Sequence, residues 1–330
     1  MKKSLVALAA LAATAAFAQS TAVISGSINV GIMDTGKAGG VPAVSTLGGG
    51  ANAINIVTVE DLGGGLRGGF DSQMRFNSAT GDRASAGTGA ALFHGANVYL
   101  GGSFGTVRMG KIIEASNCAY DPWACTGGAG LSAGSTTGGL IAAQTIANAV
   151  SYATPTIAGF SGTYQTSVST RTNERSVLSL NYANGPLAAS FSSLKQDFKD
   201  VGTGTTDQTV NTLGANYAFG DAKLFGLYQT NKTNTNSVNN KVYSISGTYT
   251  MGAVVLMAQA GELKNKVANT KSKLWGIGAD YNLSKRTAVY ATYARISNDG
   301  AATYSVPGGV GAAAAGGSSR GFEVGMRHSF

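Results

Sequence analysis

The chain has 330 residues, with 24 Lys and Arg against 16 Asp and Glu, for a formal charge of +8. Only 12% of its residues are charged, while it carries 48 Gly and 5 Pro, a balance foreign to an ordinary soluble domain. The positive charges are dispersed singly, without a Lys/Arg cluster or aromatic–basic interleaving, and this excludes a nucleic-acid-binding surface.

The first segment is a processing signal. Lys2 and Lys3 precede an unbroken small and apolar run from Leu5 to Ala16, and Ala16-Phe17-Ala18 supplies a small-x-small cleavage pattern. Residues 1–18 are expected to be a secretory signal peptide with Gln19 as the first mature residue; about 12 apolar residues fall short of the roughly 20 of a membrane-spanning helix. Residues 19–330 are expected to form one domain, since no linker or shift in composition divides them. Loss of Lys2 and Lys3 leaves 22 basic against 16 acidic residues, or +6.

Beyond residue 18 the chain reads as short alternating segments. Phe160, Gly162, Tyr164, Thr166 and Val168 fall on one face, with Ser161, Thr163, Gln165 and Ser167 on the other. Leu178, Leu180 and Tyr182 oppose Val177, Ser179 and Asn181. Leu213, Ala215, Tyr217 and Phe219 oppose Thr212, Gly214, Asn216 and Ala218. Tyr243, Ile245, Tyr249 and Met251 oppose Ser244, Ser246, Thr248 and Thr250. A period of two with one oily face is a strand between unlike media. A soluble sandwich alternates too. Segment lengths of about ten residues, with Tyr and Phe at the ends, favour strands that cross a bilayer at a tilt.

The connections set the topology. Short turns fall at Asp61–Gly65, Gly102–Gly105, Thr154–Gly159, Ala183–Pro186, Phe219–Asp221, Met251-Gly252 and Asn282–Lys285. Longer polar stretches lie near 34–51, 78–90, 114–145, 169–173, 197–207, 233–239, 264–271 and 297–318. Tight turns alternating with looser loops predict an all-β, transmembrane, sixteen-stranded antiparallel β-barrel, closed so that no sheet edge meets hydrocarbon. A barrel of that size leaves a water-filled channel that side chains cannot fill.

Five stretches resemble the Gram-negative general porins of the β-proteobacterial, trimeric, sixteen-stranded type: Glu60–Arg67, Phe104–Val107, Tyr182–Pro186, Gly278–Thr287 and the ending Val324–Phe330. They occur in the family's order across essentially the whole mature chain. The resemblance implies an outer-membrane channel for passive diffusion of ions and small hydrophilic solutes, a homotrimer surrounded by lipid and lipopolysaccharide, and an inward-folded third loop, here roughly 114–145. It also implies that Phe330 is the terminal aromatic read by the outer-membrane assembly machinery. Relatives commonly carry Arg at three places on the pore wall, where this chain has Ala53, His94 and Ser151. The resemblance therefore implies at most a weak anion preference.

By alternation, Arg67, Asp71, Gln73 and Arg75 share a face opposite Leu66, Phe70, Met74 and Phe76 and are expected to line the pore, where charges set the field an ion crosses. Arg67 lies near a short turn and equally suits the rim. Arg108 points inward between Val107 and Met109, and Lys111 follows where strand is expected to give way to loop. His94 is expected on the pore wall or in a structural role. Glu114 and Asp121 are the acids of the third loop. They either face the basic wall and make a transverse field or hydrogen-bond loop amides. Cys118 and Cys125, the only cysteines, read as a local disulfide in an oxidising compartment; free thiols and a metal site are the alternatives, and the latter lacks further ligands.

Gly101–Gly105 and Gly317–Gly321 fit G-x-S-x-G, and Gly63, Gly65 and Gly68 fit G-x-G-x-x-G, but none precedes a helical pattern. No enzyme, cofactor or metal is expected. The other readings are a substrate-specific channel with a solute site at the third loop, and a barrel-based adhesin.

Overall fold

The computed structural model describes residues 20–34, 43–45, 52–78, 80–83, 92–114, 145–168, 174–197, 207–306 and 314–330. The expected signal peptide lies outside them. Seventeen strands form one antiparallel sheet. They begin with β1 (Thr21–Asp34), β2 (Ala43–Ser45), β3 (Asn52–Gly63), β4 (Leu66–Phe76), β5 (Phe93–Gly102) and β6 (Gly105–Ile113). Then come β7 (Thr145–Ala153), β8 (Phe160–Ser167), β9 (Glu174–Asn184), β10 (Leu187–Asp197), β11 (Gln208–Phe219) and β12 (Ala222–Thr233). The last are β13 (Asn239–Met251), β14 (Val254–Asn265), β15 (Thr270–Asn282), β16 (Thr287–Asn298) and β17 (Ser318–Ser329).

Each strand pairs with its sequence neighbour, and β1 closes the ring. Its first half pairs with β3, from Thr21↔Val59 to Ser27↔Ala53; its second half pairs with β17, from Ser27↔Ser329 to Asp34↔Phe322. The short β2 lies on the same edge of β1 as β3, with Gly31 opposite Ser45. β2 and β3 thus make one interrupted stave, and the barrel has sixteen. At the seam Gly26 and Phe330 exchange two backbone hydrogen bonds of 3.0 Å.

One rim is made of tight turns. Gly185, Gly220 and Gly252 hold φ of +55°, +60° and +58°, the region that a two-residue hairpin demands and that glycine enters without a steric penalty. The other rim carries the longer connections, but two are tighter than expected. β12 and β13 are joined by residues 234–238, and β14 and β15 by 266–269, because the ladders continue up to Lys232↔Asn239 and Asn265↔Thr270.

Burial alternates along the staves. Leu213, Tyr217 and Ile245 face outward and are exposed, whereas Val210, Thr212, Ser244 and Ser246 face inward and are buried. Exposed aromatics collect at both ends of the oily belt. Phe160 stacks on Tyr182 and Tyr217 on Phe219, both with centroids 4.5 Å apart near the tight-turn rim, and Trp275 meets Tyr293 at 5.2 Å near the long-loop rim. An apolar band between aromatic girdles is the surface that a bilayer accepts.

The inner face also has apolar patches. Ile112, Ile146, Ala149, Val177, Leu194 and Val210 form one of them. Met33, Leu274, Ala294, Ile296 and Val306 form a second, beside Leu227, Val242 and Leu263; Tyr304 packs on both of these groups.

Candidate functional site

Charged side chains line the inner wall on β4, β5, β6 and β9, and the Arg327–Asp280 pair at 2.8 Å and the buried Glu323 add to it on β15 and β17. Register puts Val57 opposite Asp71, Asn55 opposite Gln73 and Ala53 opposite Arg75, all on the inward face of β3 and β4. Gln73 holds this arc in place: its Nε2 donates to Asn55 Oδ1 at 2.9 Å, and its Oε1 accepts from Arg75 Nε at 2.7 Å. Among the described residues no carboxylate pairs with Arg75.

Arg108 is held from three sides. Nη1 donates to Asp71 Oδ2 at 3.3 Å and to Asn97 Oδ1 at 3.1 Å, and the guanidinium lies 5.0 Å from the Tyr99 ring centroid. Ser151 stands directly across the β6–β7 ladder from Arg108 and is buried. The Arg108–Asp71 pair is a third or more exposed at both ends, so water screens it and it adds little to stability.

Lys111 sits within β6, which continues to Ile113, and not at a strand-to-loop transition as expected. Its ammonium donates to the Phe93 carbonyl oxygen at 2.9 Å. His94 occupies an irregularity where the β4–β5 register shifts between Gln73 and Met74, within electrostatic reach of Arg75 and Lys111. Arg67 lies at the inward end of β4 opposite Gly101, next to the tight-turn rim and exposed.

Glu114 is tied to one basic residue of the wall. Its carboxylate is buried and accepts from Arg175 Nη1 at 3.0 Å, while Arg175 Nη2 donates to Gln196 Oε1 at 2.8 Å. Arg175 has the inward parity of Val177 and Ser179, so extending that alternation by one step identifies it. Asp121, Cys118 and Cys125 lie outside the described residues.

An inward element near the long-loop mouth carries no sequence signal. After β16 the chain turns back over the inner wall: Ala302 and Val306 are buried, the Val306 amide donates to Ser319 Oγ at 3.0 Å, and Asn298 binds Tyr304 through both its amide and its carbonyl. Residues 302–306 thus cover the apolar wall of β13–β16 near the long-loop mouth.

The inner surface elsewhere is mostly uncharged and polar, from Thr212 and Gln229 to Ser244, Ser246, Gln259 and Thr292. Such a wall wets a channel without binding any one ion tightly. The profile of the Gram-negative porin family matches residues 4–301. The chain belongs to that family. It is 33% identical to outer membrane porin protein 32 of Delftia acidovorans, over 100% of both chains. Among solved structures it is similar to the anion-selective porin from Comamonas acidovorans, with a TM-score of 0.80 and 28% identity over 94% of this chain and 100% of the other. OmpT of Vibrio cholerae in its trimer form shares the fold at 17% identity and a TM-score of 0.70, over 94% of this chain and 99% of that one. This porin is therefore an outer-membrane channel for passive diffusion.

Proposed function

We propose that this porin is a homotrimeric diffusion pore with a weak preference for anions. The observation that carries the preference is the inner arc of Arg75, Arg108 and Lys111, of which only Arg108 has a carboxylate partner among the described residues. Net positive potential along a wet wall concentrates anions and depletes cations. The preference stays weak because Ala53 and Ser151 present no charge beside it. The anion selectivity named for the Comamonas relative agrees in sign.

The third loop folds inward in this reading. Support comes from its two described ends: Ile112 and Ile146 are buried in the apolar inner patch with Val177, Leu194 and Val210. An apolar row facing a water-filled channel is unfavourable unless chain covers it. Glu114, tied to Arg175, starts the loop toward that patch. Cys118 and Cys125 form a disulfide within this loop, and Asp121 adds the acidic side of a transverse field. His94, Asp71 and Gln73 belong to the basic arc's own wall.

Trimerisation is supported by the uneven outer face. On β1 and β3–β6 it carries Ile28, Ile54, Ile56, Met74 and Val98 with Phe70 and Phe76, and no described Tyr or Trp. The other staves carry both girdles, so the sector without Tyr or Trp suits another protomer better than the lipid interface. The rest of the wall contacts lipid and lipopolysaccharide. Residues 1–18 direct export, and Phe330 at the barrel seam serves the assembly machinery.

Purified protein in a planar bilayer is expected to insert as conductance steps in groups of three, with a zero-current potential of anion sign in a salt gradient. A firm cation preference, or silence over a wide voltage range, would overturn this reading.

A further inference from the structure

The basic arc faces a wall of another kind. Following the strand pairings, β12, β13 and β14 stand eight staves from β4, β5 and β6 in the ring of sixteen, so they lie across the lumen from Asp71, Arg75 and Arg108. The inward face of β10–β14 is made of hydroxyl, amide, small and apolar side chains. Among the described residues it carries one charge, Lys223.

Register builds a row across this wall: Asn216, Phe225, Ser246 and Gln259 stand opposite one another in turn on β11–β14. Phe225 has the inward parity of the buried Leu227 and Gln229, so its half-buried ring faces the channel. An aromatic ring facing water forgoes the gain of burial unless something covers it. Lys223 reaches over it from the tight-turn side, with Nζ 5.2 Å from the ring centroid.

The polar atoms along this stretch are short of partners. The hydroxyls of Ser244 and Ser246 and the Oε1 of Gln229 are buried, and none of them has a hydrogen-bond partner among the described residues. Gln229 is not free to turn, because its Nε2 donates to Thr212 Oγ1 at 2.8 Å, which fixes Oε1 as an acceptor. Buried polar atoms left unpaired are rare, since each has given up its water for nothing. Gln229 lies four residues beyond Phe225 on the same stave, about 13 Å at roughly 3.3 Å per residue. The group is therefore as long as a short oligosaccharide.

We infer that the inner wall of β12 and β13 around Phe225 is a binding site for neutral saccharides, with the C–H face of one sugar ring on Phe225 and sugar hydroxyls bonded to Ser246, Ser244 and Gln229. A sugar hydroxyl both donates and accepts, which suits serine hydroxyls and a fixed amide oxygen alike. The electron-rich face of the phenyl ring attracts the weakly positive C–H groups of a sugar. An ion leaving water here would find no counter-charge apart from Lys223. The inference rests on the pore reading and adds to it: the basic arc draws anions, while the facing wall holds uncharged solutes.

The test titrates the purified full-length porin in a planar bilayer with maltotriose, a neutral trisaccharide, in about 1 M salt, where screening shortens the field of the basic arc. Block of the ion current is expected to saturate with maltotriose concentration. Phe225→Ala is expected to raise the half-blocking concentration at least tenfold and Ser246→Ala severalfold, whereas Phe225→Trp retains the block. Each is read against the variant's own open-channel current. Block that rises linearly without saturating overturns the site, as does equal block of the parent and both alanine variants. Tighter block by trigalacturonate, an acidic trisaccharide, would mark an anion site led by Lys223 and also overturns it. A conducting parent without saturable block sinks the saccharide site alone, whereas a silent parent sinks the pore and the site with it.

Discussion

Arg175 Nη1 donates to Glu114 Oε1 at 3.0 Å, joining residues 61 positions apart at the point where the third loop leaves the wall. The carboxylate side chain is fully buried and the guanidinium nearly so. Each charge is held in place by the other.

Removing either partner takes this ion pair away from a buried charge. Glu114→Gln and Arg175→Gln are each expected to destabilise the barrel by on the order of 2 kcal/mol, read from urea midpoints of the folded band on unheated gels. The double variant is expected to lose less than the sum of the two, because the first substitution has already broken the pair. Strict additivity would mean that the pair contributes nothing as a pair. Both single variants are also expected to close at lower voltage in bilayers.

Arg75 and Arg108 differ in what their loss exposes. Arg75→Gln deletes one cation, whereas Arg108→Gln deletes one and leaves Asp71 without its cation. A unit charge about 8 Å from an ion in water contributes roughly 0.5 kcal/mol, or about a twofold change in local concentration. Each substitution removes one unit charge, which depletes anions and enriches cations about twofold each, so either variant is expected to lower the anion-to-cation permeability ratio about fourfold on that Coulomb estimate. Zero-current potentials in a salt gradient measure both. An unchanged ratio in either variant would place that guanidinium away from the ion path.

The same potential depends on ionic strength. Screening shortens from about 10 Å at 0.1 M salt to about 3 Å at 1 M, so the anion preference is expected to fade as both chambers are raised at a constant concentration ratio. A preference that persists at 1 M would point to selection by tight binding instead of by field.

Ala53 lies directly across from Arg75 and is buried on the inner wall. Ala53→Arg is expected to raise anion selectivity and to reduce conductance by narrowing the lumen, at some cost in stability from two opposed guanidinium groups. Unchanged selectivity would place Ala53 away from the ion path.

Near the seam, the Tyr290 hydroxyl donates to Glu323 Oε1 at 2.7 Å, with the ring lying across Gly325. A Cβ on Gly325 would overlap that ring, whereas Gly226 faces open space. Gly325→Val is expected to cost about 1–3 kcal/mol by overpacking, and Gly226→Ala nearly nothing, as compared by thermal unfolding of the purified porin. Equal stability of the two variants would mean that Tyr290 swings away freely.

Much of the barrel was written locally. Alternation from Phe160 to Val168 and from Leu213 to Phe219 fixed which side chains face lipid, because a strand's period of two is a property of the backbone and needs no partner. Asn184-Gly185-Pro186 and Phe219-Gly220-Asp221 marked hairpins for the same reason: the turn's positive φ is satisfied by the glycine itself. Parity likewise put Arg75 and Arg108 on the wet side.

Only the tertiary structure decided who meets whom. Glu114 finds Arg175, Arg75 is held by Gln73, and β1 divides its two edges between β3 and β17, all through ladders that bring distant residues to one height. Residues 302–306 fold over Leu274 and Ile296 because apolar inner wall near the mouth needs cover, a demand that exists only once the wall does. The row of Asn216, Phe225, Ser246 and Gln259 is likewise created by register. In the chain they are scattered residues with no motif. Closing the barrel turns them into a surface, since strand pairing sets lateral neighbours that sequence separation does not encode.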